Sequence, residues 1–258
     1  MNTKLLKERI SKYLKKISSD KLAYERDKEE RSERAAYYRA WTREKLNSMS
    51  EEQFYEFMAK LWAMLIWGNK KYVVDKLIAD NTFPRLKKEL SKLLWDVEPI
   101  EERWDRFRSN VKGIGPAMMS EILCYVHPDQ CVLWNRRAYV GFNYLGVPKL
   151  PKYDYQLTGA KYKELSQTAQ IMAKELMAQG IEDATLLAVD YFIWHELQFE
   201  ENLSQIHKKR TIGERTPDID IADSKASEFI HNEIRDKLAD IGQWLGFSSK
   251  RWGSHVNY

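Results

Sequence analysis

The sequence predicts an all-α protein, and three observations carry that expectation. Apolar residues recur at three- and four-residue spacing along most of the chain. Only 11 glycines and 7 prolines stand among 258 residues, too few for a strand-rich fold with many tight turns. A composition of 43% hydrophobic and 31% charged residues lets a sizeable core form beneath a charged surface.

The elements follow in order. Leu5, Leu6, Ile10, Tyr13, Leu14 and Ile17 lie on one helical face, with lysines between them. Residues 20–47 read as one long, strongly charged helix whose polarity suits an outer brace, so 1–50 forms a basic N-terminal helical arm. In "SMSEEQFYEFMAKLWAMLIWGNKKY", Ser50 precedes Glu51 and Glu52 and has Gln53 three places on, which is the signature of a capped helix start. Phe54, Phe57, Met58, Leu61, Trp62 and Leu65 predict that this helix runs on to a stop at Gly68-Asn69. Helices are expected over 70–79, 84–95 and 99–110, with Pro84 and Pro99 where a first turn tolerates proline. The loop "VPKLPKYDYQLTG" then leads to helices over 159–179 and 182–199. Within the second, "TLLAVDYFIWHEL" is apolar nearly all round and predicts a central buried helix; Asp190, His195 and Glu196 interrupt it and need local hydrogen-bond partners.

Residues 51–199 thus form the main helical domain. Residues 200–221 lose periodicity and read as a linker. A last helix, 222–245, places Ala226, Ile230, Ile234, Leu238, Ile241 and Leu245 on one face. With so little chain after it, segment 222–258 reads as the start of a truncated domain or as a helix that docks elsewhere.

Charge and cysteines narrow the class. Net charge is only +4, but residues 1–50 hold 14 Lys/Arg against 8 Asp/Glu, and residues 103–152 hold 8 against 3. Local basic surface is what a polyanion needs, although interleaved Lys, Arg and Glu also make a plain solvated helix face. Cys124 and Cys131 are the only cysteines, which leaves no zinc set and no disulfide framework and points to a reducing cytoplasm. No N-terminal stretch looks like a signal peptide, and no apolar run reaches membrane-spanning length.

The stretch "NVKGIGPAMMSEILCYVHPDQCVLWNRRAYVGFNYLGV", Asn110 to Val147, carries the chemistry. Gly113 and Gly115 flank one apolar residue, Ile114, which can anchor a tight turn. Pro116 suits the first turn of the next helix, whose unpaired amides then face outward as a natural phosphate site. The preceding helix turns Trp104, Phe107 and Val111 inward. Helix, glycine hairpin and helix together read as a helix-hairpin-helix DNA-binding unit.

Val111 to Val147 resembles the core of the helix-hairpin-helix base-excision DNA glycosylases, the relatives of endonuclease III. That family has Pro-Gly-Val-Gly, a helix, a loop, and V-D-T-H-V-x-R leading into a helix that ends Leu-Gly. Here the corresponding text is Val111 to Gly115, then Pro116 to Val126, the loop His127 to Gln130, and "VLWNRRAYVGFNYLG". The resemblance implies an all-α, glycosylase-like helical bundle that binds double-stranded DNA. It implies that the amides of Gly113, Gly115 and Ala117 hold a phosphate. It also implies that the main-chain carbonyls of Ser109, Val111 and Ile114 hold a monovalent cation, Na⁺ or K⁺, with no other cofactor. Lys112, Arg136 and Arg137 would neutralise further phosphates.

The departures bear on catalysis. The family's catalytic aspartate falls on Asn135, and the lysine nucleophile of its bifunctional members falls on Ala117. Asparagine cannot supply the carboxylate charge, and alanine cannot form a Schiff base. No cysteine cluster is present for an iron–sulfur centre. Asn135 can instead cap the helix that begins with Arg136. Trp134 can wedge against a base or fill the core.

A second resemblance lies in "ADSKASEFIHNEIRDKLADIGQWLGF". His231, Glu233, Ile234, Leu238, Ile241, Gly242 and Gly246 are similar to the first helix of PD-(D/E)XK restriction-type nuclease domains. That likeness implies a nuclease domain or subunit downstream. The expected function is DNA recognition without base excision, within a repair or restriction-type system. The alternatives are a divergent glycosylase or lyase that uses Asp105, Asp129 or Asp190, and a helical protein-interaction scaffold.

Overall fold

The computed structural model describes residues 1–182 and 184–198. The expected linker 200–221, the helix 222–245 and its nuclease-like residues lie outside the described residues. Within them the protein is helical, with no strand. The helices are α1 (Thr3–Ser19), α2 (Lys21–Arg39), α3 (Arg43–Ser48), α4 (Glu51–Ala59), α5 (Lys70–Asn81), α6 (Phe83–Trp95), α7 (Ile100–Asn110), α8 (Pro116–Val126), α9 (Arg136–Tyr144), α10 (Gly159–Ala178) and α11 (Leu186–Glu196). None is long and apolar enough to cross a membrane.

Two expected helices are shorter than their periodicity. Residues 20–47 do not form one long helix. The chain breaks at Ala40–Thr42, where Thr42 caps α3 through Lys45 N–H and the Trp41 carbonyl accepts from Trp95 Nε1 at 3.0 Å. The break lets the short α3 pack across α6. The helix that starts at Ser50 does open with the expected capping box to Gln53, but it ends at Ala59 rather than Gly68. Leu61 turns extended, and the amides of Trp62 and Ala63 donate to the Glu121 carboxylate at 2.6 and 2.9 Å instead of to the helix. A tertiary partner here overrides a helical pattern. The last helix also starts later than 182, at Leu186, whose N–H donates to the Pro128 carbonyl.

The core is continuous from the N-terminal helices to α11. Leu6, Ile10 and Tyr13 of α1 and Ala35 and Tyr38 of α2 are fully buried, α1 against α11 and α2 against α8. The central helix α11 buries Val189, Phe192 and Ile193. Its polar residues find partners: Asp190 with Arg31 at 3.2 Å, Glu196 with Lys16 at 2.5 Å, and His195 beside Asp27 at 3.7 Å.

Helices α7 and α10 meet closest at Gly159. A Cβ there would stand 1.9 Å from the Glu101 carbonyl oxygen. The Gly159 N–H donates to Asp105 Oδ1 at 2.7 Å, and Trp104 stacks on Tyr162 with ring centroids 3.9 Å apart. Gly159→Ala must therefore push these helices apart and should cost about 3 kcal/mol, at the upper end for overpacking. Gly68→Ala, with open space around it, should be close to neutral. Urea unfolding of the two variants reads the difference; equal midpoints would refute the close approach.

Candidate functional site

The hairpin forms as the sequence predicts it locally. Helix α7 ends at Asn110, and Gly113 adopts φ +83°, a conformation that side chains resist. Ile114 is buried, and Gly115 begins α8 with Pro116 in its first turn. No side chain caps this helix start. Lys112 is exposed at the tip.

What holds the turn is a residue the sequence did not single out. Asn81, buried at the end of α5, accepts from the Lys112 N–H at 2.6 Å and donates to the Lys112 carbonyl at 2.9 Å. One side-chain amide thereby reads both polar groups of one backbone residue, as a neighbouring strand would. Leu77 packs beneath, so close that a Cβ on Gly113 would stand 2.6 Å from its Cδ2. Only long-range proximity, 31 residues apart, reveals this brace.

The second arm is the irregular segment Cys131–Trp134, which is buried without any sheet to pair with among the described residues. Buried backbone polar groups need partners, and side chains provide them. Ser120 Oγ accepts from Trp134 N–H at 2.8 Å and donates to its carbonyl at 3.0 Å. Tyr162 Oη donates to the Val132 carbonyl, and Ser166 Oγ accepts from Val132 N–H. Trp134 fills the core against Phe142. Asn135 then caps α9, its Oδ1 accepting from Arg137 N–H at 2.9 Å and Ala138 N–H at 3.0 Å.

The two positions that the resemblance aligns with reactive groups, Ala117 and Asn135, lie near one another. Ala117 and Asn135 both line one cleft of about 280 Å³. Arg136 and Arg137 border it, Arg136 exposed and Arg137 lying over the Trp194 ring at 3.8 Å. Lys112, Gly113 and Gly115 lie outside its lining. Of the alternative acids, Asp190 lines the cleft. Asp105 holds the Gly159 amide, and Asp129 is exposed in the loop before Cys131.

The cleft's chemistry comes from a residue that sequence reasoning missed, Glu121, one turn along α8 from Ala117. Its carboxylate is 2% exposed and lines the cleft, with one oxygen on each of the Trp62 and Ala63 amides. Burial pushes this carboxyl up to about 7, against the pull of those amides and of Arg34; nearby Asp190 raises it further. Asp190 is also shifted up by burial, opposed by Arg31 and Arg137. No lysine lines the cleft, and no three His, Cys, Asp or Glu side chains among the described residues gather as a metal site. No protein-family model, curated protein or solved structure matches this chain.

The Glu121 shift has a stability consequence of definite sign. The group's ordinary value is 4.5 and its folded value about 7, so the folded state holds the proton more tightly. Its contribution is most favourable below about 4.5 and is lost as pH rises through 7, about 3 kcal/mol in all. The stability difference between wild type and Glu121→Gln should fall by that amount from pH 4.5 to pH 8 in urea unfolding. A difference that stays flat would mean that Glu121 is not buried as described.

Proposed function

We propose that this chain binds duplex DNA through the hairpin and the start of α9, without excising a base. The observation that carries this reading is the braced hairpin. Asn81 holds the turn in a fixed shape, and the uncapped N-terminus of α8 follows directly, with exposed Lys112 beside it. Unpaired amides at a helix start attract anions, and fixing them beforehand removes the cost of ordering them on binding. Arg136 opens α9 and adds a second exposed cation.

A monovalent cation, when bound, would screen the phosphate at the hairpin. Among the described residues no amide or side chain donates to the main-chain oxygens of Ser109, Val111 and Ile114, which fits such a ligand set. The Lys112 oxygen is engaged by Asn81.

The lack of excision rests on the cleft's composition. Ala117 offers no amine, and the Asn135 oxygen is spent on two amides of α9. Of the alternative acids Asp105, Asp129 and Asp190, only Asp190 lines the cleft, and it is paired with Arg31; Glu121, the other carboxyl there, has an oxygen on each of the Trp62 and Ala63 amides. This is the recognition part of a repair or restriction-type system rather than its scissors.

Lys112→Gln and Arg136→Gln should each weaken binding to duplexes of any sequence. Each should also lower the slope of log affinity against log salt by about one unit. Fluorescence anisotropy at several salt concentrations measures both effects. Unchanged slopes, or losses confined to one sequence, would defeat the backbone-clamp reading. Duplexes carrying uracil, oxidised guanine, thymine glycol or an abasic site should remain intact after incubation; strand cleavage or base release abolished by Asp190→Asn would establish the enzymatic alternative.

A further inference from the structure

We propose that the loop of residues 148–157, beside the hairpin, is a stacking platform for an unpaired base, so that the chain favours a duplex that runs on into a single strand over a blunt one. This deepens the reading of the chain as a nucleic-acid clamp and rests on it.

The argument starts from two rings that the core does not use. Tyr153 and Tyr155 lie nearly parallel, 7° apart in plane with centroids 5.6 Å apart. Tyr155 is 61% exposed, and neither ring belongs to the core or to the residues packed against it. A lone exposed aromatic is ordinary on a protein surface. A pair stacked on itself outside the core keeps a broad π face in water, and a base of any kind can cover such a face.

The loop that carries the rings is held in one shape. Gln156 Oε1 accepts from the Lys152 N–H at 2.7 Å and the Tyr153 N–H at 3.3 Å, and the Gln156 N–H donates to the Tyr153 carbonyl at 3.0 Å. Pro151 and Leu157 are buried and anchor it. Arg108 of α7 donates to the carbonyls of Asp154 and Leu157 at 2.5 and 3.0 Å. A platform ordered beforehand gives up little entropy when a base lands on it.

The same contacts place the platform beside the hairpin. Helix α7, which holds the loop through Arg108, leads directly into the hairpin. On the far side of the turn, a Cβ on Gly115 would stand 3.8 Å from Asp154 Oδ2. A strand gripped at the hairpin by its phosphates therefore has its next nucleotides within reach of the tyrosines.

Charge names the partner. Lys149 and Lys152 are exposed, and neither makes an ion pair among the described residues. The lysines of α10 just beyond are taken, Lys161 by Glu164 and Lys163 by Glu101. Asp154 is the only acid among residues 148–157. Aromatic faces interleaved with open lysines suit a single strand, whose bases stack while its phosphates meet the cations. A proline-rich peptide also docks on aromatic rings, but it gains nothing from the lysines.

Fluorescence anisotropy of the full chain tests this with a blunt duplex, the same duplex with a single-stranded extension, and one whose extension lacks bases. The extension should raise affinity roughly fivefold or more, and the baseless extension should not. Tyr155→Ala should remove the gain and leave blunt-duplex affinity unchanged. Tyr155→Phe should keep the gain, which separates stacking from a hydroxyl hydrogen bond. Lys152→Gln should lower the salt slope for the extended duplex alone, by about 0.7 unit. Tyr155-dependent binding of the extended duplex with no binding of the blunt one upholds the platform and defeats the hairpin clamp. Equal binding of both duplexes, or a gain that survives Tyr155→Ala, overturns the platform and leaves the clamp standing. Absence of binding to either defeats both. A labelled proline-rich peptide that binds through Tyr155 while the extension adds nothing also overturns the platform and gives the surface to a peptide.

Discussion

The buried carboxylate of Glu121 is the constraint from which the cleft follows. It sits on α8 and takes two successive amides from the turn after α4. Those amides would otherwise continue a helix that the apolar pattern of residues 54–65 strongly favours. By capturing them the carboxylate ends α4 early, swings Leu61 and Met64 into the core, and leaves Ile66 standing at the cleft rim. Burying that charge is unfavourable, as its upward shift shows. Two backbone hydrogen bonds offset part of the cost without supplying a counter-ion. A group held in that balance is sensitive to whatever enters the cleft.

Much of the fold was legible because local signals and packing agree. The Ser50–Gln53 capping box, the proline-led starts near Pro84 and Pro116, and the all-round apolar face of α11 each have a cause within a few residues. The failures share a cause of the opposite kind. Residues 20–47 look like one polar helix, but Trp41 makes a contact with α6 that no local pattern reveals. Helix α4 looks longer than it is because Glu121 lies 58 and 59 positions away from the amides it takes.

The same division runs through the candidate site. Gly113 and Gly115 announce a hairpin, and only the resemblance links Ala117 with Asn135, which both line the cleft. Neither announces Asn81. A buried asparagine at a helix end reads as a stop signal, and only the fold turns its amide towards Lys112. The polarity of residues 20–47 likewise suggests no more than an outer brace. Tyr38 of α2 stacks on Tyr125 of α8 with centroids 5.1 Å apart, so this segment forms a wall behind the cleft as well.

Position 135 shows how capping and chemistry separate. Aspartate and asparagine are equally good helix caps, so the need to start α9 does not by itself exclude an aspartate. What differs is charge. An aspartate here would add a third carboxylate to a cleft that already holds Glu121 and Asp190, and its field would raise both further. With asparagine, Asp190 stays paired to Arg31, and Glu121 remains the one carboxylate in the cleft with no ionic partner of its own. The neutral residue at position 135 and the buried acceptor Glu121, one turn along α8 from Ala117, are thus linked electrostatically. The neutral amide at position 135 leaves Glu121 and Asp190 as the carboxyls that line the cleft, against Arg31, Arg136 and Arg137.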